Sequence, residues 1–261
     1  MRRSVKTWFA AGMLLIAAGC ASTGHEPASY APQSGADTNA QTRARIHTEL
    51  AAGYFELGNY AVALQEAGEA LKAEPDHVSA LNVLGLIYME LRDDKAAEAS
   101  FQRALRVNPI DSDTNNNYGW FLCQRKREKE SFKYLLAALR NPLYTTPDKS
   151  WVNAGMCAWQ VGDLSGAEEY FQNALKLRPA QPQALFQMAQ LSYRRRNYRE
   201  AKSYLTRLPR ALAPTPEMLW LALRVERGLG DRNAEASLGF QLRKNFPDSR
   251  EARALIAGQY E

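Results

Sequence analysis

From residue 44 onward, small and large apolar positions alternate with polar ones at the spacing of paired helices, and the pattern recurs every 34 residues. One period carries Leu81, Leu84, Gly85 and Tyr88, then Ala97, Phe101, Ala104 and Pro109. The period before it carries His47, Leu50, Ala51 and Tyr54, then Ala63, Ala67, Ala70 and Pro75. Steps of three and four residues within each group place them on one face of a helix. Proline lacks an amide proton and clashes with the preceding turn, so Pro75, Pro109, Pro179 and Pro247 each stop the second helix of a period. Gly58-Asn59 and Gly162-Asp163 supply the turn between the two helices. The grid divides the chain into units 44–77, 78–111, 112–147, 148–181, 182–215 and 216–249, followed by a capping helix and tail over 250–261. The third unit is stretched by two residues within Asn141–Pro147, and the sixth matches the grid least well.

A period of this length and pattern is the signature of a tetratricopeptide (TPR) array. The expected fold is all-α: a right-handed superhelical solenoid of about six helix-turn-helix repeats with a C-terminal capping helix. Two helices approach closely only where side chains are small, and Gly85 with Ala97, and Gly155 with Ala167, are expected to make those contacts. Phe101 and Phe171 are the large residues that fill the space toward the neighbouring repeat. A generic helical bundle would not hold four prolines at one place in the pattern. One repeat cannot bury its apolar face alone, so stability is expected to be close to nearest-neighbour additive.

The first residues read differently. Met1–Lys6 is basic, Trp8–Gly19 is an uncharged, mostly apolar run, and Cys20 follows. The run is too short for the roughly 20 apolar residues of a spanning helix and reads as a signal peptide over 1–19. Its end, Ile16-Ala17-Ala18-Gly19-Cys20, resembles a bacterial lipobox, with Ala17 where leucine is usual. That resemblance implies cleavage before Cys20 and acylation of its thiol and amine. The alternative is an ordinary secretory signal with Cys20 incidental. Ala21, rather than aspartate, implies retention at the outer membrane, facing the periplasm. Residues 20–43 are rich in Ser, Thr, Gly, Pro, Ala and Gln and read as a lipidated cysteine on a flexible tether.

The formal net charge is +5, but Arg2, Arg3 and Lys6 fall before the cleavage point, leaving +2 on the remainder. Nucleic acid is therefore not an expected partner. Three cysteines and three histidines form no close metal-ligand spacing, and no cofactor is implied. No phosphate-binding glycine loop and no nucleophile–base motif is present, so the chain is not expected to be an enzyme.

In such arrays the first helix of each repeat lines the binding groove, at the second, fifth, ninth, twelfth and thirteenth positions of the repeat. The candidate partner-binding residues are Asn82, Leu86, Met89, Asn116, Trp120, Val152, Met156, Trp159, Phe186 and Tyr193. Large apolar side chains at positions expected to face water suggest a protein partner, and Asn82 and Asn116 are placed to hydrogen-bond an extended segment. The alternative is that Trp120, Met156 and Trp159 pack under the neighbouring repeat. Cys123 and Cys157 lie in first helices of adjacent repeats, where ridge packing can bring their Cα atoms within the roughly 4.4–6.8 Å of a disulfide; two buried free thiols are the alternative. Arg125-Lys126-Arg127 and Arg194-Arg195-Arg196 read as solvated helix ends.

Beyond the general repeat pattern, Asn115-Asn116-Asn117-Tyr118-Gly119-Trp120-Phe121-Leu122-Cys123, Asn141-Pro142-Leu143-Tyr144-x-x-Pro147 and Asn153-Ala154-Gly155-x-Cys157 resemble type IV pilus biogenesis and stability proteins of the PilF/PilW kind. The resemblance implies a monomeric outer-membrane lipoprotein that acts as a pilotin, without enzymatic activity. Its expected partner is a secretin subunit or another pilus assembly protein, with its acyl anchor in outer-membrane lipid. The alternative in the same class is an adaptor lipoprotein of another envelope machine, for outer-membrane protein assembly or cell-wall synthesis.

Overall fold

Every period of the sequence folds as a pair of helices. The computed structural model describes residues 39–260; the signal segment 1–19, Cys20 and the tether as far as residue 38 lie outside the described residues. The pairs are α1 (Asn39–Glu56) with α2 (Tyr60–Ala73), α3 (Val78–Glu90) with α4 (Asp94–Val107), and α5 (Ser112–Gln124) with α6 (Glu128–Ala138). They continue as α7 (Pro147–Gln160) with α8 (Leu164–Leu177), α9 (Pro182–Arg194) with α10 (Tyr198–Thr206), and α11 (Pro216–Leu229) with α12 (Arg232–Asn245). A single short helix, α13 (Arg250–Ile256), packs on the last pair. There is no strand among the described residues. The fold is a TPR superhelix.

The turn inside each pair is built the same way six times. Its central residue takes a left-handed backbone: Gly58, Arg92, Lys126, Gly162, Arg196 and Gly230, with φ between 59° and 83°. The next amide then reaches back to a carbonyl one turn earlier, as Asn59 N to Tyr54 O and Asp163 N to Ala158 O, each at 2.9 Å. This is the hydrogen bond that closes a helix through a left-handed residue. The residue making it is also the N-cap of the following helix. Asn59, Asp93, Asp163, Asn197 and Asp231 each accept a bond from the amide three residues on, satisfying a donor the helix itself leaves open. Arg127 occupies this place before α6 and has no such oxygen.

Within a pair, packing rests on one size complement. A Cβ added at Gly85 would lie 2.5 Å from the Phe101 ring, one at Gly155 2.5 Å from Phe171, and one at Gly119 2.7 Å from Leu135. The atoms nearest Gly85 and Gly155 are those of the large side chain four residues beyond the expected Ala97 and Ala167, both of which are fully buried. Phe101 is fully buried and reaches the next repeat, 5.8 Å from the Tyr118 ring and 5.9 Å from Phe121. In the last pair the complement is reversed, with Gly239 on the second helix and Leu223 on the first, 3.5 Å from an added Cβ.

Three further differences from the sequence reading concern α1 and α10. α1 begins at Asn39, so residues 39–43, assigned to the tether, are helical; Ala, Gln and Arg there are all good helix formers. Leu50, on the expected core grid, is 44% exposed, because no described helix packs on the outer side of α1. α10 is only nine residues long, and Leu208 lies beyond its end, packed against the Phe171–Leu185 cluster.

Candidate protein-binding face

Among the first helices α3 contacts α5, α5 contacts α7 and α9 contacts α11, while α8 carries the step from the fourth repeat to α9. In the middle of the array the inward side chains bond to each other. Asn117 donates from Nδ2 to Asn82 Oδ1 at 3.1 Å, and Asn116 donates to Asn117 Oδ1 at 3.1 Å. Asn116 Oδ1 in turn accepts from Ser150 Oγ and Asn153 Nδ2, both at 2.9 Å. This chain of amides ties α3, α5 and α7 together. Beside it, Cys123 of α5 and Cys157 of α7 are joined by a disulfide, with Cα atoms 5.8 Å apart.

The candidate residues therefore divide. Asn82, Met89, Asn116 and Val152 are buried. The reading of Asn82 and Asn116 as free amides for an extended segment meets a physical obstacle: their carbonyl oxygens are already occupied within the array. Leu86, Trp120, Met156, Trp159, Phe186 and Tyr193 are half-buried and present part of their surface. Trp120 packs against the Phe101–Tyr118 cluster and against Cys123, while Met156 and Trp159 pack against the Phe171 cluster. Phe186 and Tyr193 rest on Ala189, Leu221 and Val225. Each of these six combines a packing role with an accessible edge.

Three of the six basic residues in these turns are matched to carboxylates. Arg125 bonds both carboxylate oxygens of Asp94 and lies 5.1 Å over Phe121. Arg127 joins Glu98 and Glu130, each at 2.8 Å, and Arg195 holds Glu168 at 2.7 Å. The Arg125 guanidinium holds the Asp94 carboxyl below the ordinary aspartate range. The Arg125–Asp94, Arg127–Glu98 and Arg195–Glu168 pairs bridge adjacent repeats.

The face opens at its C-terminal end. There the fifth, ninth and twelfth positions of the sixth repeat place Trp220, Arg224 and Arg227 beside Tyr193 and Arg194 of the fifth. Tyr260, beyond α13, stacks on Trp220 at 5.7 Å. Two adjoining cavities of about 460 and 510 Å³ share Arg224 in their walls. These sixth-repeat residues were absent from the sequence-based candidates. Carrying the grid one repeat further reaches them directly. Among the described residues no group of three or more His, Cys, Asp or Glu side chains is arranged to hold a metal, and no helix is long and apolar enough to cross a membrane.

Tetratricopeptide repeat family models match residues 48–106, 89–144 and 158–223, more than half of the chain. The type IV pilus assembly protein PilF of Pseudomonas aeruginosa is 30% identical over 211 residues, which span 81% of this chain and 84% of the relative. The crystal structure of PilW, described as a widely conserved type IV pilus biogenesis factor, superposes with a TM-score of 0.73 at 32% identity, over 82% of this chain and 98% of that one. The structure of Pseudomonas aeruginosa pilF gives a TM-score of 0.77 at 28% identity, over 85% of this chain and all of that one.

Proposed function

The chain belongs to the PilF/PilW family of type IV pilus assembly TPR proteins, non-enzymatic scaffolds, and from that premise we propose that it is a pilotin. In this role it is anchored in the outer membrane by acyl chains on Cys20, faces the periplasm, and brings secretin subunits to the membrane where they multimerise. The observation that carries the reading is the match to PilF over four-fifths of both chains, with a lipobox-like segment ahead of the repeats. Two or more acyl chains give stable anchoring where one does not. The Ser-, Thr-, Gly- and Pro-rich composition between Cys20 and α1 supports a tether that would hold the array near the bilayer. A partner captured by the array is thereby held at raised local concentration beside the membrane. The Cys123–Cys157 bridge fits the oxidising periplasm.

The half-buried edges of Leu86, Trp120, Met156, Trp159, Phe186 and Tyr193 are the proposed contact surface for the secretin subunit. The test is secretin multimers on semi-denaturing gels in a deletion strain complemented with wild type or with Cys20→Ala. Deletion is expected to abolish the multimers, and Cys20→Ala to leave a folded periplasmic protein with the secretin mislocalised. Heat-resistant multimers at normal levels in the deletion strain would remove the pilotin reading.

A further inference from the structure

Arg224 sits on the ninth position of the sixth repeat with its guanidinium carbon 4.7 Å from the Tyr193 ring and 5.4 Å from Trp220. Its Nε is buried and has no hydrogen-bond partner among the described residues. An arginine flanked by two rings gains from their electron-rich faces, but the rings do not accept its N–H bonds, and an unmatched buried donor is costly. Arg194, 4.6 Å over Trp159, and Arg196, on a left-handed turn, line the same opening and have no carboxylate partner among the described residues. Arg227 differs, being held by Glu235 at 2.7 Å and lying 3.9 Å over Tyr260. Arg125, Arg127 and Arg195 are likewise matched to carboxylates. The C-terminal opening thus gathers three uncompensated guanidinium groups around exposed aromatic edges.

We propose that this opening is a receptor for an acidic segment of the protein partner, whose Asp and Glu side chains pair with Arg194, Arg196 and Arg224 while its apolar side chains lie on Tyr193 and Tyr260. Three cations spread over two repeats exceed what one terminal carboxylate can neutralise, so the charge complement is a run of acidic side chains. Guanidinium forks match carboxylates in paired geometry, and pairing at a half-buried arginine strengthens each bond. The proposal rests on the role of the array as a protein-binding scaffold in pilus assembly and holds whichever pilus component is bound.

The experiment uses the full repeat array and a fluorescein-labelled peptide rich in Asp and Glu with an amidated C-terminus, followed by anisotropy. Saturable binding is expected that weakens steeply with salt, while the Asn/Gln counterpart peptide does not bind. Arg224→Ala is expected to weaken binding at least tenfold and Arg194→Ala, at an exposed position, several-fold; Arg103→Ala, in α4, leaves it unchanged. Arg194→Ala keeps the test decisive if Arg224→Ala melts early. Equal binding by wild type and both variants overturns the proposal. So does a neutral peptide with a free C-terminal carboxylate binding in place of the acidic one. Phosphatidylglycerol vesicles, or a second copy of the chain in sedimentation, occupying the site while the acidic peptide is ignored would also overturn it. Secretin multimers persisting in the deletion strain, with peptide binding intact and arginine-dependent, would sink the pilotin reading and leave this one standing.

Discussion

The third and fourth repeats use the same grid positions as the fifth and sixth for opposite ends. At the fifth position stand Asn116 and Val152, both buried, against Phe186, half-buried, and Trp220, which is buried but forms part of a cavity wall. At the twelfth stand Cys123, bonded to Cys157, and Trp159, half-buried under Arg194, against Tyr193 and Arg227, which line a cavity, Arg227 being held by Glu235. In the middle, inward side chains satisfy one another across repeats, and at the C-terminal end guanidinium groups and rings are left for something else to satisfy. A repeat position therefore fixes where a side chain points, and the neighbouring repeat decides whether it closes the array or remains available.

The sharpest way to press this contrast is the central packing residue. Phe171→Ala removes a fully buried ring seated on Gly155 and is expected to cost about 3–5 kcal/mol of unfolding free energy. Its counterpart one repeat later, Leu205→Ala, acts at a half-buried site and is expected to cost clearly less, roughly 1–2 kcal/mol, as its partial burial scales the loss. Equal losses in chemical denaturation would erase the difference between the two regions. Next in size, replacing Cys123 and Cys157 by serine opens a 34-residue loop. A loss of about 2–4 kcal/mol under oxidising conditions is expected, with no change in acidic-peptide affinity, because the link lies away from the arginine opening. Peptide binding that falls with the disulfide would show the regions to be coupled.

Asn116→Ala is expected to cost about 1–3 kcal/mol by leaving Ser150, Asn153 and Asn117 without their partner. A comparable loss from alanine at the exposed Gln183 of α9 would contradict the amide chain's structural role. The smallest effect has the opposite sign. Lys126 holds φ of 59° at the turn where Gly58, Gly162 and Gly230 stand in other repeats. Lys126→Gly is expected to raise stability by about 0.5–1 kcal/mol, the left-handed penalty being partly offset by the added freedom of the unfolded chain. A lower melting temperature would mean that the lysine side chain contributes a contact of its own.

Most of the architecture could be read from spacing alone. Prolines at one place in the period, glycine followed by Asn or Asp at the turns, and the Gly–Phe pairs in repeats two and four are local signals that the neighbouring chain does not alter. The sixth repeat departs from the grid because Leu223 and Gly239 exchange the sizes that the grid expects. Burial at the inward positions was not legible for a different reason. Helical phase gives the direction in which Asn82 or Val152 leaves its helix, but not how close the next repeat comes. The arginine opening was legible in principle: Trp220, Arg224 and Arg227 fall on the same phase as Trp120 and Trp159. What sequence does not carry is the count of carboxylates around each arginine, which sets Arg195 apart from Arg194 although they are adjacent.

Linear arrays come apart from their termini inward, each lost unit exposing the next. The covalent link between α5 and α7 interrupts that progression, since neither helix can drift from the other once its own hairpin loosens. Melting begun at α13 thus has a natural halting point two hairpins in. The distal units can reshape around whatever they grip while the central ones keep their register.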